Sequence, residues 1–330
     1  MKFGPVPVAE AEGGILAHSI ALTKGRLRKG LQLSAADIAT LSAEGHQLVT
    51  VAQLEPGDMA EDEAAEQLAT ALIGDALGLR KTAAATGRVN IYATRPGIVA
   101  LDEAALQAFN AVNPMITVAT LPQHMRVDPG TMVATIKIIA YAVPGADVDQ
   151  AAGLAPGAIA QRAPVLRTAT LIETVQNGAT PLKGRAALET RLAWLDVALT
   201  DPVVVAHDIE SVASAIARAP GEAVFILTAS ATSDVADVGP AGLVAAEGQL
   251  VQFGMPVDPG NLLFLGALGA KPVIGLPGCA RSPALNGADW VMERVLCGVD
   301  LTPADFARMG VGGLLKEIPT RPKPRGDIEG

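Results

Sequence analysis

The hydrophobic and polar positions change rhythm along this chain, and the change divides it. From about residue 165 onward, short apolar runs of strand length alternate with segments of helical periodicity. Val165–Ile172 predicts a strand and Arg185–Leu195 a helix with Leu188, Leu192 and Leu195 on one face. Val203–Ala206 is a strand, Asp208 caps a helix bearing Ile209, Val212 and Ile216, and Ala223–Leu227 is a strand again. Lys271–Leu276 is another apolar run, and Leu285–Leu296 closes the series as a helix. Strand–helix–strand order with short connections predicts a parallel sheet with right-handed crossovers.

The earlier half is less regular. Ser34 is placed to cap a helix carrying Ile38 and Leu41, with Gly45 ending it; Leu48–Leu54 predicts a strand and Glu61–Ile73 a helix with an acidic first turn. Gly87–Ala93, Ile116–Leu121 and Thr131–Val143 predict strands, and Asp102–Phe109 a short helix. The Pro/Gly/Ala-rich stretch Pro144–Gly157 is expected to be a linker or exposed loop, and the tail Pro319–Gly330 to be mobile. The expected fold class is α/β: a C-terminal open, mostly parallel sheet with helices on both faces, preceded by a smaller α+β region. The expected division is 1–74, 75–160 and 161–330.

Composition narrows the function classes. Across 330 residues half are hydrophobic, yet aromatics are only 3%, so the core is aliphatic and base-stacking platforms are lacking. A net charge of −9 argues against nucleic-acid and anionic-membrane surfaces. Two cysteines, Cys279 and Cys297, and four scattered histidines give neither a disulfide framework nor zinc spacing. The opening residues have no basic segment followed by an apolar one, and no window reads as a spanning helix. The expectation is therefore a cytoplasmic protein without a signal peptide.

Candidate chemistry lies where the later strands end. Ala223–Leu227 runs into Thr228, Ser230, Thr232, Ser233, Asp234 and Asp237, and Lys271–Leu276 runs into Pro277, Gly278, Cys279, Arg281 and Ser282. Ligands of open α/β sheets bind at the carboxyl ends of the strands. Small residues let backbone N–H groups approach a phosphate, and Arg281 supplies a forked donor. Asp234 and Asp237 are candidates for catalysis and for a divalent ion shared with a phosphate, as Mg²⁺ commonly is; capping the following helix is the competing use. Cys279, after a Pro-Gly turn, is either an activated thiol or a small filler. In the middle region, Lys137 sits inside an apolar strand, where it either snorkels from an edge or faces a cleft.

In order, the Thr228–Asp237 loop, the segment Phe253–Gly266 (FGMPVDPGNLLFLG) and the turn Pro272–Ser282 (PVIGLPGCARS) resemble the molybdopterin-binding domain of molybdenum-cofactor biosynthesis proteins. That domain is shared by molybdopterin molybdotransferases and adenylyltransferases. Its loop reads Gly-Gly-hydroxyl-x-Gly-x-x-Asp, followed by Pro-Gly-x-Pro and Leu-Pro-Gly-Asn-Pro. Leu171–Gly178 resembles the family's first strand and acidic loop, His207–Asp208 falls where an Asp opens the second helix, and residues 14–51 resemble the molybdotransferase N-terminal part.

The resemblance implies a molybdopterin ligand, in free, nucleotide or molybdenum form, held by the first loop, by Asp258, Pro259 and Gly260, and by Pro277, Gly278, Cys279, Arg281 and Ser282. It further implies Mg²⁺ on Asp234 and Asp237, molybdate, ATP or CTP as co-substrate, a homo-oligomer, and a nucleotidyltransferase as partner. The departures are Ala229 and Ser230 for the paired glycines, Asp258 for a basic residue and Cys279 for Asn. They keep open a non-catalytic cofactor carrier, and the same domain type also implies a nucleotide amidohydrolase or pyrophosphatase.

Overall fold

The computed structural model describes residues 1–176 and 183–317. The chain is α/β and divides into two compact units, Met1–Arg95 with Val99–Gln161, and Pro96–Ile98 with Arg162–Gly330. Gly178 and the tail from Pro319 lie outside the described residues.

In the first unit, Lys2–Pro7 and Ile15–Leu16 flank Leu48–Gln53 in an antiparallel sheet. Ser34 and Asp37 form a reciprocal capping box at the start of the Ala35–Ala43 helix, satisfying two N–H groups that the first turn leaves open. Leu41 packs from that helix onto Val8, Leu16, Val49 and Val51. The Glu61–Ile73 helix buries Ala64, Ala65, Leu68, Ala69 and Leu72, a stripe of helical spacing. That stripe shares a core with Val89, Ile91, Ile136 and Ile138 of the sheet Ile116–Thr120, Met132–Ile138, Arg88–Ala93, Leu79–Lys81.

Two expectations are corrected here. Pro144–Gly157 is no linker: Gly145–Leu154 is a helix that buries Val148 and Ala151. Its Pro precedes the first helical residue, where a missing N–H costs nothing, and the apolar pair three residues apart outweighs the Gly and Ala content. Thr131–Val143 is two strands, Met132–Ile138 and Ala142–Pro144, because the second pairs with Asp58–Ala60 in a separate two-stranded sheet, a pairing that the Glu61 N–H extends by donating to the Tyr141 carbonyl at 3.0 Å. Lys137 is engaged within this unit, donating to the Thr86 carbonyl and lying 3.6 Å from Glu61 Oε2.

The second unit is built on a seven-stranded sheet. Thr168–Val175 pairs in parallel with Ala223–Leu227 on one side, and with Ala198–Leu199 and Val203–Ala206 on the other. Ala223–Leu227 pairs in parallel with Lys271–Gly275, after which Phe264–Leu268 and Gln249–Phe253 add antiparallel strands at the far edge. The first strand begins three residues later than the hydrophobic run predicts; the Val165 N–H donates to the Leu296 carbonyl at 2.8 Å, holding the run's start out of the ladder.

Alternation along the central strand explains its unbroken apolar character. Phe225 and Leu227 pack with Leu188, Leu192, Val291 and Leu296 of the helices Arg185–Ala193 and Gly287–Leu296. Val224 and Ile226 pack on the opposite face with Val212, Ile216 and Leu243 of the helices Ile209–Arg218 and Val238–Ala245. Both faces of the strand are covered, so both sets of positions must be apolar. Among the described residues no helix is long and apolar enough to cross a membrane.

Gly275 ends the parallel strand Lys271–Gly275 beneath the Phe264 ring, where an added Cβ would come within 1.9 Å of Cε1. Gly275→Ala is expected to destabilise the protein by about 1–3 kcal/mol through overpacking. Gly153→Ala, in open space on the Gly145–Leu154 helix, is expected to stabilise it by about 0.4–1 kcal/mol. Denaturant titration of the two variants should give shifts of opposite sign.

Candidate functional site

The parallel strands of the second unit bring their carboxyl ends together on one rim. Thr168–Val175 delivers Glu173 and Thr174, Val203–Ala206 delivers His207, Ala223–Leu227 delivers Thr228 to Ser230, and Lys271–Gly275 delivers Pro277 to Arg281. The first predicted loop is held from inside. Thr228 Oγ1 donates to the Ser230 carbonyl at 2.6 Å and lies 3.2 Å from Thr232 Oγ1, so both buried threonines shape the turn. Ser230 and Ser233 remain exposed.

Asp237 folds back rather than capping the Val238–Ala245 helix with its side chain. Its Oδ2 accepts the Ser233 and Asp234 N–H groups at 2.5 and 2.9 Å, and Asp234 Oδ1 accepts the Ala236 N–H at 2.8 Å. One oxygen of each carboxylate, Asp237 Oδ1 and Asp234 Oδ2, has no such bond among the described residues. No group of three or more His, Cys, Asp or Glu side chains that could hold a metal occurs among those residues. A cation here would rest on two carboxylates and its ligand's own oxygens.

The third predicted turn is a short 3₁₀ segment, Gly278–Arg281, and Arg281 joins it to the first loop by donating from Nη2 to the Thr228 carbonyl at 2.8 Å. Arg281 Nε is buried and lacks a hydrogen-bond partner among the described residues, as does Arg185 Nη1. Both cations act on Glu173, only 7% exposed. Burial pushes its carboxyl above the usual range, while Arg281 and then Arg185 pull it back down. Burial likewise lowers the Arg281 guanidinium, opposed by Glu173.

The second predicted segment is anchored beside the start of the Gly287–Leu296 helix. The Pro259 carbonyl accepts the Gly287 N–H at 2.8 Å, and Gly260, at φ 140°, lies against the Gly287 backbone so closely that a Cβ would stand 2.7 Å from its nitrogen. Asp258 exchanges backbone hydrogen bonds with Gly313 and Leu315 and lies 2.7 Å from Lys316 Nζ. Asp258 adds to the upward push on the Cys279 thiol.

Cys279 is exposed at its surface, but desolvation by the protein around it raises the thiol above its ordinary value, more than Arg191 lowers it. That is the wrong direction for an activated nucleophile. Cys297 is buried and pushed up to about 12 by the same cause.

Three participants were not among the predicted site residues, although the resemblance touched two of them, Glu173 within Leu171–Gly178 and His207 beside Asp208. Arg191, on a helix face, donates through Nε to Asp289, through Nη1 to the Ala280 carbonyl at 2.8 Å, and through Nη2 to the Ser282 and Ala284 carbonyls at 2.7 and 3.1 Å. It fixes the third turn from behind, and Ser282 serves that turn by accepting the Ala284 N–H on Oγ. Glu173, a charge inside an apolar strand, was a visible signal. The third, His207, bonds both ring nitrogens, Nδ1 to Thr174 Oγ1 at 2.8 Å and Nε2 to Ser230 Oγ at 2.9 Å.

Fold and rim together define an α/β domain whose strand ends carry small hydroxyl residues, paired carboxylates and a half-buried arginine with an open donor. A family model described as "Domain of unknown function (DUF8806)" matches residues 5–53. No curated protein matches the chain. Similar solved structures include a molybdopterin biosynthesis MoeA protein from Pyrococcus horikosii, at 17% identity over 94% of this chain and 77% of that one, with a TM-score of 0.29. A molybdenum cofactor biosynthesis protein from Pyrococcus furiosus is similar at 13% identity, covering 91% and 66% of the two chains with a TM-score of 0.25. At TM-scores this low, the fold is read from the chain's own strands and helices.

Removing Arg191 takes from Asp289, itself 3% exposed, the cation paired with it. Arg191→Met is expected to cost about 3–5 kcal/mol in denaturant unfolding, and the double change with Asp289→Leu less than that single one. Glu173 gives a pH signature. Its folded-state pKa is raised above the ordinary 4.5, so its stabilising contribution is complete below that value and is lost as pH rises through the folded one. Relative to the wild type, Glu173→Gln should therefore gain stability as pH rises across that window, measured by thermal unfolding at a series of pH values.

Proposed function

We propose that this chain binds molybdopterin, or its nucleotide or molybdenum form, and acts in molybdenum-cofactor biosynthesis. The observation that carries the reading is Arg281. It ties the third turn to the first loop through the Thr228 carbonyl and still holds a buried Nε–H without a partner among the described residues. A buried donor left open is costly, and a phosphate oxygen is the acceptor that a guanidinium fork fits best. The hydroxyls of Ser230 and Ser233 and the N–H groups of the Gly278–Arg281 turn lie on the two elements that Arg281 joins. The resemblance of the three loops to the molybdopterin-binding pattern supplies the identity of the phosphorylated ligand.

Two versions of the function follow from the aspartates. With Mg²⁺ on the open oxygens of Asp234 and Asp237, the protein is a molybdotransferase or adenylyltransferase, and the ion offsets charge on the transferred group. Without it, the protein is a carrier that holds the cofactor for a partner such as a nucleotidyltransferase. The carrier version is favoured by the loop itself, since Asp237 Oδ2 and Asp234 Oδ1 accept backbone N–H groups there. Ala229 and Ser230 in place of paired glycines also narrow the approach of a ligand to the backbone.

Equilibrium titration of the purified protein with molybdopterin should show saturable binding, weakened about tenfold or more by Arg281→Ala. A titration without saturation would end the reading. Consumption of molybdate, ATP or CTP during turnover assigns the transferase, and stoichiometric binding without consumption assigns the carrier.

A further inference from the structure

Ser230 stands where the molybdopterin-binding pattern has the second of its paired glycines, so its side chain is a group that pattern lacks. The side chain does not hang free: Ser230 Oγ lies 2.9 Å from His207 Nε2, and His207 Nδ1 lies 2.8 Å from Thr174 Oγ1. A hydroxyl, an imidazole and a second hydroxyl in line have the outline of a nucleophile with its base. Proton bookkeeping along the line gives the opposite result.

The Ala229 N–H donates to Thr174 Oγ1 at 2.8 Å, so that oxygen already accepts one hydrogen bond. Thr174 is 3% exposed, and its own hydroxyl hydrogen needs an acceptor. Among the described residues that acceptor is His207 Nδ1. A nitrogen that accepts must present its lone pair, so the neutral imidazole carries its proton on Nε2. Nε2–H then donates to Ser230 Oγ. With Nε2 protonated, the ring has no lone pair to take the serine proton, and Ser230 is not activated for attack. Its hydroxyl is polarised the other way, accepting from the ring with its own hydrogen left for a group outside the chain. Ser230 is exposed, and it belongs to the loop whose Thr228 carbonyl Arg281 grips.

We propose that Thr174 and His207 are positioning residues that hold Ser230 as a hydrogen-bond donor to an oxygen of a phosphate monoester, on the rim where Arg281 supplies the charge. This rests on the reading of the rim as a phosphate-holding site and adds which side chain orients the phosphate and in which proton state. Such a line favours an acceptor-only group, as a phosphate dianion is, over a ligand hydroxyl that must itself donate.

The test has two readouts on the full-length protein. The ¹⁵N spectrum of the imidazoles, with His207 assigned by its loss in His207→Phe, should show a protonated Nε2 and a bare Nδ1 without any ligand. Thr174→Val should mix the two tautomers and Thr174→Ser restore the original one. Titration with inorganic phosphate should be about three- to tenfold weaker in Ser230→Ala. His207→Phe should weaken it by no more than that, and the double variant should be no weaker than Ser230→Ala alone, because His207 acts only by orienting the Ser230 hydroxyl. A protonated Nδ1 in the wild type overturns the proposal, as does wild-type phosphate affinity in Ser230→Ala. A wild-type protein with Nε2 protonated that takes up no phosphate overturns the phosphate reading of the rim, an outcome the imidazole spectrum separates from failure of the hydrogen-bond line.

Discussion

The rim depends on one buried cation. Arg191 sits 4% exposed between the Arg185–Ala193 helix and the Gly287–Leu296 helix, and its donors go to Asp289 and to the carbonyls of Ala280, Ser282 and Ala284. A guanidinium out of water is tolerable only when its hydrogen bonds are made and its charge is matched. The irregular backbone from Ala280 to Ala284 supplies that match, and in exchange it is held in one shape. Asp289 has a second duty: its Oδ2 accepts the Asn286 N–H at 2.8 Å and completes the capping box of the helix it opens. One pair of side chains thus couples helix start, turn geometry and the placement of Arg281.

From that fixed turn the rest of the rim follows by short links. Arg281 reaches the Thr228 carbonyl, Thr228 reaches Ser230 and Thr232 within its loop, and Ser230 reaches His207 and so Thr174 on the first strand. The links from Arg281 to Thr228 and from His207 to Thr174 join the ends of neighbouring parallel strands, the Thr228 bonds stay within one loop, and the link from Ser230 to His207 reaches across the end of the first strand. The electrostatic centre is the group Glu173, Arg281 and Arg185, in which burial and attraction pull the carboxyl in opposite directions. A carboxylate kept near two cations at a sheet edge trims their net charge.

The aspartates illustrate how one residue type serves two ends. Asp234 and Asp237 lie on the rim, and each gives one oxygen to loop N–H groups while the other stays open. Loop shaping and ligand contact are therefore compatible uses of the same carboxylates. Cys279 shows the reverse: its place after the Pro-Gly turn invites a chemical role, and desolvation sets its thiol against one.

Periodicity alone determined most of the architecture. The unbroken apolar run Ala223–Leu227 announced a strand covered on both faces, Asp208 and Ser34 announced their helices as caps, and Glu61–Ile73 was delimited by its stripe and its acidic first turn. The loops with Thr228, Asp258 and Arg281 were visible too, because small and turn-forming residues after a strand have a local physical meaning. The Gly145–Leu154 helix was hidden, since Pro, Gly and Ala read as a loop until Val148 and Ala151 find a core to bury in. Arg191, His207 and Thr174 were hidden for a stronger reason. An arginine on a helix, a histidine after a strand and a threonine within one have no local sign of purpose. Their roles exist only between segments, such as the 91 residues separating Arg191 from Ser282 or the 33 separating Thr174 from His207. Local chemistry is written residue by residue, whereas the pairing of distant polar groups is decided when folding withdraws them from water together.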